Sequence, residues 1–366
     1  MGTKHTLYKV MRASFFMTAT IFSYLAFSAI GTVEAAYAAP GKIEVIAMPH
    51  PDDEMEVWSQ IQGSTANYKV FAYLTRGEET SYCNTDIYRY TYSPGLNETS
   101  TSYIPTGQLS YTCYESRITS TLNFLNRMST TDSAVPGGFS ATNYTTVNLP
   151  LIGTTTPGHV DNGTFIADRS VRIYNSTNGT GTMGKVLFFN LGNNDLTTAE
   201  AVWALKSIMN RRSTLGLPNL PFYTMIGPFS HTTSNSYPNC QIYDHIDHYA
   251  IHDALFNYNL GMPTPSFQAA ATCATDPDYQ VNPRTAWISS AAYNNAFYVN
   301  PTTLQRVGFF QRDYGWMDGN DSVGSSGTSG MGWYANPSTT TQISTGSIKN
   351  NSPFMKYQTF WQRFVR

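Results

Sequence analysis

Two short stretches concentrate groups able to hold a metal or move a proton. The first is His50-Pro51-Asp52-Asp53-Glu54; the second, far downstream, is His245-Ile246-Asp247-His248. Imidazole nitrogens and carboxylate oxygens are ligands that zinc takes, and two imidazoles with one carboxylate leave a coordination position open for water. Such a centre suits hydrolysis of an unreactive bond. The metal lowers the pKa of bound water to about 7 and polarises a carbonyl, while a neighbouring carboxylate takes the water's proton. Each stretch also has a plainer reading. Asp52 and Asp53 can cap a helix and answer its dipole, and His245 and His248 can be ordinary surface or core histidines. Capping, however, needs neither His50 nor a second histidine pair. His252 has the i, i+4 spacing of a further ligand, but the set is complete without it. His159 and His231 read as loop histidines.

The surrounding elements must bring the two stretches together. Lys42–Met48 (KIEVIAM) is an apolar run that reads as a buried strand, and the acidic triplet after Pro51 opens a helix. Lys69–Thr75 (KVFAYLT) reads as a second strand, and this strand–helix–strand order announces a parallel α/β sheet. Glu115–Met128 has helical spacing at Ile118, Leu122 and Leu125. Short β-like pieces such as Val171–Tyr174 follow, then a buried strand at Lys185–Leu191 (KVLFFNL). Thr197-Thr198-Ala199-Glu200 forms a capping box before a helix at Ala201–Arg211. Pro221–Ile226 reads as a strand and Tyr249–Tyr258 as a helix. Past Met262 the pattern fades, and Phe354, Tyr357, Trp361 and Phe364 are spaced as one face of a closing helix. Both histidine stretches fall at strand-to-helix junctions. If those strands are neighbours, both junctions open on the sheet edge where α/β folds bind ligands.

Met48-Pro49-His50-Pro51-Asp52-Asp53-Glu54 resembles the signature of the PIG-L/LmbE-like zinc-dependent N-acetylglucosaminyl deacetylases. The family's second signature, His-x-Asp-His before a helix, is similar to His245–His248. Thr75-Arg76-Gly77-Glu78 resembles its Thr-x-Gly-Glu segment, and Glu115-Ser116-Arg117 resembles an acidic/basic helix start more weakly. The resemblance spans roughly Ile43 to Leu260. It implies that His50, Asp53 and His248 ligate Zn2+, or another divalent transition metal, and that Asp52 is the general base. It further implies that His245 faces the developing oxyanion or the leaving amine, that Asp247 holds a histidine in its tautomer, and that Arg76 lies near the substrate. Arg76 is equally suited to an ion pair with Glu78 or Glu79. The residues after the triplet, Met55-Glu56-Val57-Trp58-Ser59, depart from the family's small residues and glycine. The expected fold is α/β: a Rossmann-like, mostly parallel sheet with helices on both faces, loop-rich insertions, and a C-terminal extension after about residue 262.

Composition narrows the setting. The 22 basic and 24 acidic residues give a net charge of −2, and no basic stripe is visible, so a nucleic-acid partner is not expected. Charged residues are only 13% against a usual ~25%, while the 14% aromatic content argues for a packed fold rather than disorder. Lys4, Lys9 and Arg12 precede a largely apolar Ala13–Ile30, with small residues around Ala36-Tyr37-Ala38. This reads as a signal peptide over residues 1–38 with a single deacetylase-like domain over 39–366, secreted and free of the membrane after cleavage. An N-terminal membrane anchor is the alternative. Four cysteines, Cys83, Cys113, Cys240 and Cys273, read as two disulfides with three possible pairings. The sequential pairing, Cys83–Cys113 with Cys240–Cys273, closes moderate loops worth about 3–4 kcal/mol each. Export directs the expectation to extracellular N-acetylglucosamine-containing glycans or glycoconjugates as substrate. Other amides at the same metal, and a carbohydrate-binding protein on a degenerate scaffold, are the alternatives. The oligomeric state is left open.

Overall fold

In the computed structural model, residues 41–62, 64–80, 83, 106–177, 183–231, 243–272, 284–297, 308–314 and 357–365 are described. The leader expected over residues 1–38, Cys240 and Cys273 lie outside them. Five strands run parallel at the centre: β1 (Lys42–Met48), β2 (Asn67–Thr75), β7 (Gly184–Leu191), β8 (Phe222–Phe229) and β9 (Ser266–Thr272). Their spatial order is β9-β8-β1-β2-β7. The chain therefore builds outward from β1 on one side, returns, and builds outward on the other, reversing between β1 and β8. Antiparallel strands complete the nine-stranded sheet: β6 (Ser170–Asn175) and β3 (Tyr144–Asn148) beside β7, and β11 (Tyr357–Val365) and β10 (Arg284–Trp287) beside β9. A separate hairpin joins β4 (Gly158–Asp161) to β5 (Thr164–Ala167) through Asn162-Gly163, both at positive φ as a tight hairpin turn demands.

Burial on both faces explains why the central strands read as unbroken apolar runs. Ile46, Met48, Phe71, Tyr73, Val186 and Phe188 pack with Ile118, Leu122, Phe124 and Leu125 of the helix Tyr111–Ser129. On the other face Val45, Ala47, Val70, Ala72 and Leu187 pack with Trp203, Leu205 and Ile208 of the helix Thr198–Asn210, and with Ile251, Ala254 and Leu255 of the helix Ile246–Asn257. The Thr197–Glu200 capping box is formed.

Several expectations are corrected. The acidic triplet opens a 3-10 turn, Asp53–Val57, leading into one α-helical turn, Trp58–Ile61. The residues past 262 complete the sheet, with β9 as its fifth parallel strand. The aromatic segment read as a closing helix is strand β11 over Tyr357–Val365, while Phe354 lies outside the described residues. There Phe360 and Trp361 are both buried although adjacent, because the strand lies inside the sheet between β9 and β10. His159 sits on β4 and His231 pairs with Tyr243; both are buried. Among the described residues, no helix is long and apolar enough to cross a membrane.

Candidate metal centre

The first half of the site is the turn that leaves β1. Thr75, at the end of β2, donates both its amide and its hydroxyl to the Pro49 carbonyl, at 3.0 and 2.8 Å, and so fixes where the chain leaves the sheet. Asp52 then adopts φ 114°, ψ −17°, positive for a residue that is not glycine. Backbone of this kind costs of order 1–3 kcal/mol and persists only where its surroundings impose it. Here they do. The Asp52 amide donates to Glu54 Oε2 at 3.1 Å. Arg117, buried on the helix Tyr111–Ser129, donates to the Pro51 carbonyl, to Asp52 Oδ1 at 2.7 Å and to the Gly77 carbonyl at 2.6 Å. Gly77 must lack a side chain for this: at its φ of +65°, a Cβ would stand 2.9 Å from Pro51 and 3.0 Å from the Arg117 guanidinium. Asp52 thus makes no side-chain cap; its carboxylate is held by an arginine.

The second half follows β8. His245 caps the helix Ile246–Asn257, its Nδ1 accepting from the Asp247 amide at 3.3 Å. A backbone N–H can only donate, so the proton of neutral His245 is on Nε2. Asp247 is fully buried. Its Oδ2 accepts from His50 Nε2 and from the Asn194 amide, both at 2.8 Å, and its Oδ1 accepts from the Leu196 amide at 3.0 Å. His248 Nδ1 lies 2.8 Å from the Phe229 carbonyl, to which it must donate, leaving the Nε2 lone pair free in the neutral ring. His252 instead bonds the Pro228 carbonyl at 2.7 Å and helps seat the helix on β8.

The two halves meet. The ring centroid of His50 is 4.7 Å from that of His245 and 5.3 Å from that of His248. Asp53 Oδ2 lies 3.1 Å from His50 Nδ1 and 3.4 Å from His248 Nε2. Two overlapping triplets have donor atoms within 4.8 Å of one another, His50–Asp53–His248 and His50–His245–Asp247. The first fits a cation better. His248 Nε2 is buried with no hydrogen-bond partner and faces a carboxylate oxygen. Two electron-rich atoms in that relation call for a proton or a metal ion between them. The carboxylate of the second triplet already accepts from three donors. The chain of Asp247 to His50 Nε2, with His50 Nδ1 turned toward the first triplet, is the carboxylate–histidine pairing that fixes a ligand's tautomer.

Ionisation follows from burial and crowding. Burial opposes a charge on His50, but hydrogen bonds to Asp247 and Asp53 overcome it and raise the pKa to about 9. Burial likewise opposes charge on Asp53, yet His248 and His50 hold it well below the carboxylate range. Asp247 is also lowered, burial being outweighed chiefly by His50. Burial raises Asp52 to about 7 despite Arg117. It raises Glu54 to about 7 and Glu56 well above its ordinary value, with Asp53's charge adding to the latter. His245 falls to about 3 because burial and the neighbouring His50 and His248 all oppose its protonation. A divalent ion would replace the positive charge that His50 otherwise supplies to Asp53.

Arg76 makes the ion pair that its spacing to Glu78 allows. Its Nε is 3.3 Å from Glu78 Oε1 and its guanidinium stacks over Tyr114, so it serves the loop after β2 as an ion-pair partner. Cys83 and Cys113 form a disulfide that ties this loop to the helix Tyr111–Ser129. The weight carried by Arg117, by the backbone of Asn194 and Leu196, and by Glu54 and Glu56 escaped the sequence reading. Glu54 stands in the first histidine motif and Arg117 in the Glu115-Ser116-Arg117 triplet, but neither motif reveals what they hold in place. No family model matches this chain, and no curated protein or solved structure does.

Proposed function

We propose that the protein is a secreted, zinc-dependent N-deacetylase that hydrolyses the acetamide of N-acetylglucosamine units in an extracellular glycan or glycoconjugate. The observation that carries the reading is the orphaned, buried His248 Nε2 facing Asp53 beside His50, with a second buried carboxylate, Asp52, next in the chain. The chain order also supports it. A Rossmann-like core would account for this strand order, and the two ligand turns follow β1 and β8, the strands flanking its point of reversal, where such folds bind ligands.

His50, Asp53 and His248 would hold the ion. Zinc supplies Lewis acidity, activating a water and polarising the amide carbonyl. Asp52 takes the water's proton: it is a buried carboxylate next in the chain to the ligand Asp53, and Arg117 fixes one of its oxygens. His245, the most exposed of the three histidines, presents its Nε2–H as a neutral donor to the developing oxyanion. Neutral His245 has no spare proton for the leaving amine, so Asp52 returns the one it took. Asp247 keeps His50 oriented through 2.8 Å. Export rests on the basic, apolar N-terminus of the sequence and on the Cys83–Cys113 disulfide, which suits an oxidising compartment. The substrate class rests on the family resemblance and on export.

The test is acetate release by the purified, zinc-reconstituted protein from N-acetylglucosamine oligomers of increasing length. Zinc-dependent release supports the proposal. Binding of oligomers without any release would make the protein a carbohydrate-binding module, and release from other acetamides alone would move the substrate class.

A further inference from the structure

Between β9 and the end of the chain lie two elements that touch the ligand turn although the family resemblance stops short of both. The helix Phe309–Tyr314 carries Tyr314, buried among Phe124, Phe310 and the turn. Its hydroxyl donates to Glu54 Oε1 at 2.7 Å and lies 2.9 Å from Thr121 Oγ1. The other oxygen of Glu54 accepts from Tyr73 at 3.0 Å and from the Asp52 amide at 3.1 Å. Glu54 is thus a strut between Tyr314 and the positive-φ backbone of Asp52. From β11, the buried Gln358 spans the next turn: its Oε1 accepts from the Ser59 amide at 2.9 Å, and its Nε2 donates to the Met55 carbonyl at 2.5 Å.

We infer that Tyr314 and Gln358 are positioning residues for the metal centre: the C-terminal segment sets the turn that carries His50, Asp52 and Asp53, Tyr314 acting through Glu54. This rests on the metal-centre reading of those residues. None of the four groups bonded by Tyr314 and Gln358 is one of the three ligands, so the segment acts on the ligands through the backbone of the turn. A group bonded directly to a ligand is worth about 10–100-fold in metal affinity or activity, and one acting through the backbone is worth less.

The experiment uses the full chain and two readouts. Zinc affinity is measured by competition with a chromophoric chelator, and hydrogen exchange is followed in peptides covering 49–57 and, separately, β2. Tyr314→Phe keeps the ring and removes only the hydroxyl; it is expected to weaken zinc a few-fold, below the roughly 10–100-fold of a group bonded directly to a ligand, and to speed exchange in 49–57 more than in β2. In a Glu54→Gln background the same substitution is expected to add little, since the two groups act as one unit. Gln358→Leu, through its own bonds, is expected to speed exchange in 49–57 and stands in should Tyr314→Phe fail to fold. Unchanged zinc affinity in folded Tyr314→Phe, losses that simply add, or exchange rising equally in both peptides would overturn the inference. Absence of zinc binding by the wild-type chain would instead sink the metal reading, and the exchange comparison would still decide whether the segment holds the turn.

Discussion

Strands β1 and β2 bury charge at both of their ends, and the two ends are built differently. Near the amino ends Lys69 is fully buried, donating to Glu44 Oε2 at 3.0 Å and to the Ser64 carbonyl at 2.7 Å. Burial raises the pKa of Glu44, and Lys69 opposes that shift. The backbone there is ordinary strand. At the carboxyl ends, His248 Nε2 and Glu56 Oε1 are buried without partners, Asp52 is strained, and five acidic side chains crowd three histidines and an arginine. Buried charge is common to both places; unfinished pairing and strained backbone mark only one. Native proteins rarely leave buried polar atoms orphaned, and strain gathers where function requires it. The difference separates a structural ion pair from a group of side chains that could hold a metal ion.

The largest effect that sharpens this contrast is on turnover. Asp52→Asn keeps an oxygen for Arg117 and tolerates the backbone, so zinc content and thermal midpoint are expected to hold while acetate release falls about 10²–10⁴-fold. Wild-type turnover in this variant would remove Asp52 from the chemistry. At the other end, Lys69→Met leaves Glu44 buried and uncompensated, and is expected to cost about 3–5 kcal/mol in denaturant unfolding with zinc affinity unchanged. Asp247→Asn should lie between structure and chemistry, weakening zinc about 10–100-fold because His50 loses its charged anchor; a chelator titration reads this directly.

A pH dependence is expected at the loop after β2. Burial raises Glu78 to about 7 in the folded protein, Arg76 opposing the shift. The folded state then binds the proton more tightly than the unfolded chain does. Its contribution is fully present below about 4.5 and is lost as the pH rises through about 7. Stability should fall by up to about 1.4 kcal/mol per pH unit across that window. Glu78→Gln should flatten the slope, and an unchanged slope would mean that Glu78 is ionised throughout.

Much of this was legible in the sequence. The strands β1, β2, β7 and β8 announce themselves because burial on both faces leaves unbroken apolar runs, and the Thr197–Glu200 cap is a local hydrogen-bond pattern. The pairing of the two histidine stretches follows from junctions on neighbouring strands. Strand β9 was hidden because it is alanine-rich: Ala269, Ala270 and Ala271 are buried where the sheet runs between its two layers of side chains, and alanine has weak strand preference. In strand β11 the spacing of Tyr357, Trp361 and Phe364 fits one helix face, and only pairing with β9 and β10 decides otherwise. Arg117 and Tyr314 act on residues distant in the chain, 65 positions away for Arg117 and Asp52 and 260 for Tyr314 and Glu54, so no local spacing reveals them.

The most direct measurement is the stoichiometry of zinc bound by metal-stripped protein, wild type against His248→Ala. The account predicts one equivalent per chain for the wild type, with affinity lowered at least about 100-fold once the orphaned imidazole is gone. Equal binding by both proteins, or no binding by either, would contradict it.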